Sequence, residues 1–229
     1  MSTTRTPRRR IHESPFWKAY GRFRYTILFY ALLLTLFVMP IATTFGLPTL
    51  LIRLMIGASL IAAVMPNATK RTRQGLLMGV SLLVLVQFVP DRLSISPAYG
   101  IALIGWTGLL AAAGALRFAT ATETVSSEAL YAALSTYLLA GISFGQIYWS
   151  LEQLHSGSIV GPDPMSETNA VYYSFVTLAT LGYGDFLPRT AIARGLATFE
   201  VIGGQLFLAV LVARLLGAFV SDVTPPPAK

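Results

Sequence analysis

The stretch ETNAVYYSFVTLATLGYGD, residues 167–185, decides how the rest of the chain must be arranged. From Glu167 to Ala179 it is mostly apolar, with Glu167 and Thr168 placed to cap the start of a helix. A helix of that length rises about 20 Å, short of the roughly 30 Å of a bilayer's hydrocarbon core. It is expected to enter the membrane and return on the same side. The residues that follow, Thr180, Leu181, Gly182, Tyr183, Gly184 and Asp185, then form non-helical backbone at membrane depth. Such backbone persists only where it is buried in protein or lines water, because each unpaired carbonyl otherwise costs several kcal/mol. The segment is therefore expected to line a pore. Glycine at alternate positions permits dihedrals that point successive carbonyl oxygens one way, and a ring of such oxygens can replace the water shell of a monovalent cation. One chain cannot make a ring. A plain tight turn would explain Gly182 and Gly184, but not Thr180, Tyr183 and Asp185 together after a half-length helix.

Outward from this stretch the chain reads as a membrane protein. Of its 229 residues, 54% are hydrophobic and 12% charged, the inverse of a water-soluble balance. There is no cysteine and there are two histidines, so disulfide frameworks, redox dithiols and zinc-thiolate centres are excluded. No enzymatic activity and no organic cofactor are expected. The net charge of +7 sits in short clusters between apolar runs, where it sets membrane orientation rather than serving nucleic acid. Six spans are expected: about Tyr25 to Phe45, Leu47 to Met65, the window between Arg73 and Asp91, Ser96 to Leu116, Ala129 to Leu151, and Thr190 to Val220. Arg5, Arg8, Arg9, Arg10, Lys18, Arg22 and Arg24 precede the first span and place the amino terminus in the cytoplasm. Lys70, Arg71 and Arg73 then also fall inside, and Glu152, Asp163 and Glu167 outside. The first span has no small-residue cleavage site after it and is expected to stay in the chain. The basic leader, with Phe16, Trp17, Tyr20, Phe23 and Tyr25 among its cations, serves as an orientation signal or as a contact for anionic lipid headgroups.

The run from Thr180 to Asp185 matches, at every position, the filter signature Thr, aliphatic, Gly, Tyr, Gly, Asp, and the chain resembles the tetrameric potassium channels. The likeness is specific over about Ala129 to Val220 and architectural before that. It implies an all-α membrane protein of six transmembrane helices, with a re-entrant pore helix and filter loop between the fifth and sixth, assembled as a homotetramer. By this resemblance the carbonyls of Thr180, Leu181, Gly182 and Tyr183, with the Thr180 hydroxyl, hold dehydrated K⁺, Gly184 closes the strand at the outer mouth, and Asp185 bonds an aromatic of the pore helix, for which Tyr173 is the candidate. Many relatives carry tryptophan there; Ala179 and Val176 likewise stand where relatives carry threonine and an acidic residue. Gly204, twenty-one positions after Tyr183, matches the glycine at which the inner helix of related channels bends, and Gly203 adjoins it. Close packing of small residues is the other explanation for this pair. Glu200, inside the last span, either bonds behind the filter or lies near the outer interface beside Arg194.

The resemblance divides the chain into a cytoplasmic basic segment (1–24), a four-helix membrane domain similar to a voltage sensor (25–117), a pore domain (118–220) and a short cytoplasmic tail (221–229) with no room for a ligand-binding domain. A sensor needs about three or four gating charges per subunit, since each charge crossing 100 mV supplies about 2.3 kcal/mol. The fourth span has no cation before Arg117, and Arg53 in the second lies close enough to an end to snorkel. The expected function is a K⁺-selective channel in the plasma membrane, both termini cytoplasmic, with weak or no voltage dependence. A poorly selective cation channel, a transporter subunit and a nonconducting sensor are the alternatives.

Overall fold

The structure is a computed structural model that describes residues 23–46, 58, 96–121 and 126–223. The second and third expected spans, Arg53, the basic leader before Phe23 and the tail after Val223 lie outside the described residues. Five helices make up most of what is described: α1 (Arg24–Thr44), α2 (Pro97–Ala121), α3 (Ser127–Leu154), α4 (Glu167–Leu178) and α5 (Ala191–Val223). Two short strands, β1 (Ile159–Val160) and β2 (Leu187–Pro188), pair antiparallel with Ile159 opposite Pro188. Among the described residues, α1, α2, α3 and α5 are long and apolar enough to cross a membrane. Their bounds fall within a few residues of the first, fourth, fifth and sixth spans read from the sequence.

Each helix starts where a side chain takes up its free N–H groups. Ser126 accepts from Ala129 N at the head of α3, and Thr190 from Ala193 N at the head of α5. Pro97 opens α2, where the amide hydrogen it lacks would have had no partner in the helix. No cap side chain of its own serves α1. Instead Glu128 of α3 reaches across, its carboxylate accepting from Tyr25 N at 3.1 Å and from the Thr26 hydroxyl at 2.5 Å. Beside it the Arg24 guanidinium lies 4.5 Å from the centroid of the Phe118 ring of α2. The start of α1, the end of α2 and the start of α3 thus meet at one end of the bundle.

The core lies between α2 and α3, which share the most extensive contact, and α1 joins it. Small residues allow the close approach: Ala111, Ala112, Ala115 and Ala119 of α2 are buried, and a Cβ at Gly105 would lie 2.8 Å from the Ser143 carbonyl. The same device seats α4 on α3. A Cβ at Gly141 would meet the Phe175 ring at 2.4 Å, and one at Gly145 would meet Val171 at 2.7 Å. In contrast α5 is largely bare. Phe199, Ile202, Leu206, Val210 and Leu216 are all exposed in the single chain, an apolar surface that needs lipid or further copies to cover it.

Candidate functional site

The short helix α4 ends at Leu178, and the chain then runs through Thr180–Asp185 back to the head of α5. Ser166, not Glu167 or Thr168, is the N-cap of α4: its hydroxyl accepts from Asn169 N at 3.1 Å. Glu167 occupies the first turn, where its charge suits the helix dipole, and accepts from Gln146 Nε2 of α3 at 2.9 Å. At the other end Ala179 N donates to Phe175 O, Thr180 N to Thr177 O and Leu181 N to Val176 O, at 2.9–3.0 Å. These bonds wind the chain off the helix and fix where the filter-like segment begins.

That segment has an unusual backbone. φ is +58° at Thr180, +56° at Gly182 and +79° at Gly184, and Leu181 and Tyr183 between them lie outside the positive region. Thr180 is the one non-glycine residue with positive φ among the described residues. Left-handed backbone at a β-branched residue is strained, and such strain survives only where surrounding contacts hold it. Alternating handedness turns every second peptide plane over, so successive carbonyls face one side instead of alternating as in a strand. The Thr180 hydroxyl also receives Gln205 Nε2 of α5 at 3.4 Å. Leu181 and Tyr183 stand exposed in the single chain.

Asp185 is bonded by an aromatic of α4, but by Tyr172 and not by the expected Tyr173. The Tyr172 hydroxyl donates to Asp185 Oδ2 at 2.8 Å. Consecutive helix positions differ by about 100°, and the neighbouring Tyr173 is turned the other way. It is buried and meets the Tyr148 ring of α3 edge-on at 4.8 Å. Tyr172 in turn meets Phe186 edge-on at 6.2 Å. Phe186 closes over Gly161, where a Cβ would meet its ring at 2.3 Å, and the β1–β2 pair binds the loop before α4 to the strand after the segment. The Glu152 carboxylate accepts from Gly157 N at 2.7 Å and Ile159 N at 3.1 Å. It braces this loop rather than standing as a free charge.

Gly204 and Gly203 have different surroundings on an unbroken α5. A Cβ at Gly204 would lie 2.5 Å from the Leu178 carbonyl at the end of α4, whereas at Gly203 nothing lies within 4 Å. Gly203 borders a cavity of about 390 Å³ walled by α2, α3 and α5, with Arg117 and Arg214 in its lining. Glu200, one turn before Gly204, is fully buried between Tyr148 of α3 and Ser174 of α4. Arg194 does not reach it; its Nε donates to the Pro188 carbonyl. Nothing in the sequence singled out Ser174 or Tyr148 as its partners, because both are ordinary residues of apolar helices. Among the described residues no group of three or more His, Asp or Glu is placed to hold a metal ion.

A half-length helix followed by backbone of alternating hand is set between two membrane-length helices. Residues 133–221, which hold all of these parts except the start of α3 and the last two residues of α5, match the family model described as "Ion channel". The chain is 30% identical over 102 residues to Protein LctB of Bacillus caldotenax, covering 41% of this chain and 75% of that one. It is 35% identical over 72 residues to the inward rectifier potassium channel Kirbac3.1 of Paramagnetospirillum magnetotacticum, covering 31% of this chain and 24% of the channel. No solved structure matches the chain significantly. The chain belongs to the ion-channel family, with potassium channels among its relatives, and is not an enzyme.

Proposed function

We propose that four copies of the chain surround a common axis, each contributing Thr180–Tyr183, and conduct K⁺ passively and selectively across the plasma membrane. The observation that carries this reading is the alternation of positive φ at Thr180, Gly182 and Gly184, which aims a column of carbonyl oxygens at one side. The bare apolar flank of α5 and the exposed Leu181 and Tyr183 support it, since each needs neighbours that a single chain lacks, and α4, at 12 residues, is too short to cross a bilayer between α3 and α5. Kirbac3.1 is by name a potassium channel, which favours K⁺ as the ion. The start of α1 lies beside the end of α2, as a six-span chain with both termini cytoplasmic requires. On this reading residues 25–117 form a membrane domain ahead of the pore domain at 118–220. Purified protein is expected to migrate as a tetramer and to release K⁺ but not Na⁺ from loaded liposomes. A monomer, or equal release of both ions, would remove the proposal.

Two further results are expected. Arg117 is the single ionised side chain in α2, which ends four residues later, so the conductance–voltage relation should be shallow. A steepness of several charges per subunit would contradict this. Tyr172→Phe removes the hydroxyl that donates to the Asp185 carboxylate and ties α4 to the end of the filter-like segment. Single-channel bursts should shorten in this variant while the ion preference stays as in wild type.

A further inference from the structure

At the junction of α3, α4 and α5, three helices meet around one carboxyl. Glu200 is 0% exposed, so its surroundings are complete within a single chain. The Tyr148 hydroxyl donates to Glu200 Oε2 at 2.7 Å. Ser174 Oγ lies 2.5 Å from Glu200 Oε1 and 2.7 Å from the Gly141 carbonyl oxygen of α3. Among the described residues the other titratable groups facing it are phenols: Tyr173 of α4, packed edge-on against Tyr148, and Tyr137 of α3 within electrostatic reach.

Counting hydrogens decides the state of this cluster. Ser174 has one hydroxyl hydrogen and two oxygens at short range. If it donates to Glu200, its contact with Gly141 brings two acceptors together with no hydrogen between them. If it donates to Gly141, the Glu200 contact is repulsive unless Oε1 itself carries a hydrogen. Only a protonated Glu200 puts a hydrogen in every contact: Tyr148 donates to Oε2, Oε1 donates to Ser174, and Ser174 donates to Gly141. An ionised carboxylate here would exchange its hydration for neutral hydroxyls alone.

We infer that Glu200 is a positioning residue for the pore, whose carboxylic acid form pins α4 to α3 and α5 through the Ser174 relay. One turn further along both helices, Gly204 lies against the carbonyl of Leu178. The inner helix therefore grips the pore helix at Ser174 and at Leu178, directly before the segment that meets the ion. Removing the proton loosens the first of these grips and leaves the filter-like segment less well held. The inference rests on the conducting pore proposed above.

The test uses the full chain in liposomes, with K⁺ flux followed against pH. Wild-type flux should fall as pH rises and the acid loses its proton. In Glu200→Gln the amide N–H donates to Ser174 while the amide oxygen accepts from Tyr148, so flux should stay within about twofold of wild type and lose that fall. Glu200→Ala leaves Ser174 and Tyr148 short of a partner and should cut flux about tenfold. Glu200→Gln as damaging as Glu200→Ala, or keeping the wild-type pH profile, overturns the inference. Infrared spectroscopy gives a reading that does not depend on conduction. Wild type should show the carbonyl band of a protonated carboxyl that Glu200→Gln lacks, and its absence overturns the inference even if the pore proves closed.

Discussion

Gly182→Ala is expected to abolish selective conduction while leaving the helices packed as they are. Gly182 has φ +56° and no atom within 4 Å of the place its Cβ would take. Within one chain the substitution therefore meets no obstacle, and its whole effect acts through the backbone. A non-glycine residue in left-handed conformation costs about 1–2 kcal/mol. In the proposed tetramer four subunits make the same change, so roughly 4–8 kcal/mol favours flipping the peptide planes around the ring. Once a plane flips, its carbonyl leaves the column and an amide hydrogen takes its place, which repels a cation. K⁺ flux should fall by at least about a hundredfold, since each 1.4 kcal/mol is worth a factor of about ten. Circular dichroism and the size of the assembly should match wild type. A conducting, selective Gly182→Ala would mean that the alternation at Thr180, Gly182 and Gly184 does not serve the ion.

Gly204→Val should be nearly as severe, for a different reason, and Gly203→Val should be mild. A valine at Gly204 places a Cβ 2.5 Å from the backbone oxygen of Leu178, and backbone at the end of α4 cannot step aside as a flexible side chain can. Overpacking of this kind costs about 1–3 kcal/mol per site. It pushes the last turn of α4 away from α5 and displaces Thr180 with it. At Gly203 the space within one chain is open. Loss of helix flexibility alone would affect the two adjacent positions alike, so the asymmetry separates close packing from bending. The melting temperature of the assembly should drop and flux should be lost in Gly204→Val, with Gly203→Val near wild type in both. Equal damage at the two positions would restore the hinge as the main role of this pair.

Much of this arrangement was legible in the sequence because membrane helices are written in length and apolarity. The first, fourth, fifth and sixth spans were each marked by a gap between charges, and α1, α2, α3 and α5 stand within a few residues of them. The filter-like run was legible because alternate glycines with Thr180 and Asp185 form a local pattern. What could not be read were relations between helices. Tyr172 and Tyr173 are equivalent until the rotation of α4 about its axis is known, and that rotation is set by Gly141 and Gly145 on another helix. Glu128 caps α1 from more than a hundred residues away. Glu200 looked as suited to an outer interface beside Arg194 as to the interior. Only the docking of Ser174 and Tyr148 against it closes the site. Ser166 was legible in principle, a serine three residues before Asn169 ahead of an apolar run, but Glu167 and Thr168 beside it suit a helix start equally by residue type.

The most direct test of the central claim is the reversal potential of the purified protein in a planar bilayer with K⁺ on one side and Na⁺ on the other. Oxygens of Thr180, Leu181, Gly182 and Tyr183 arranged to replace the hydration of K⁺ predict a reversal displaced far toward the K⁺ equilibrium potential, with the current lost in Gly182→Asp. A reversal near zero, or a current that survives Gly182→Asp, would contradict it.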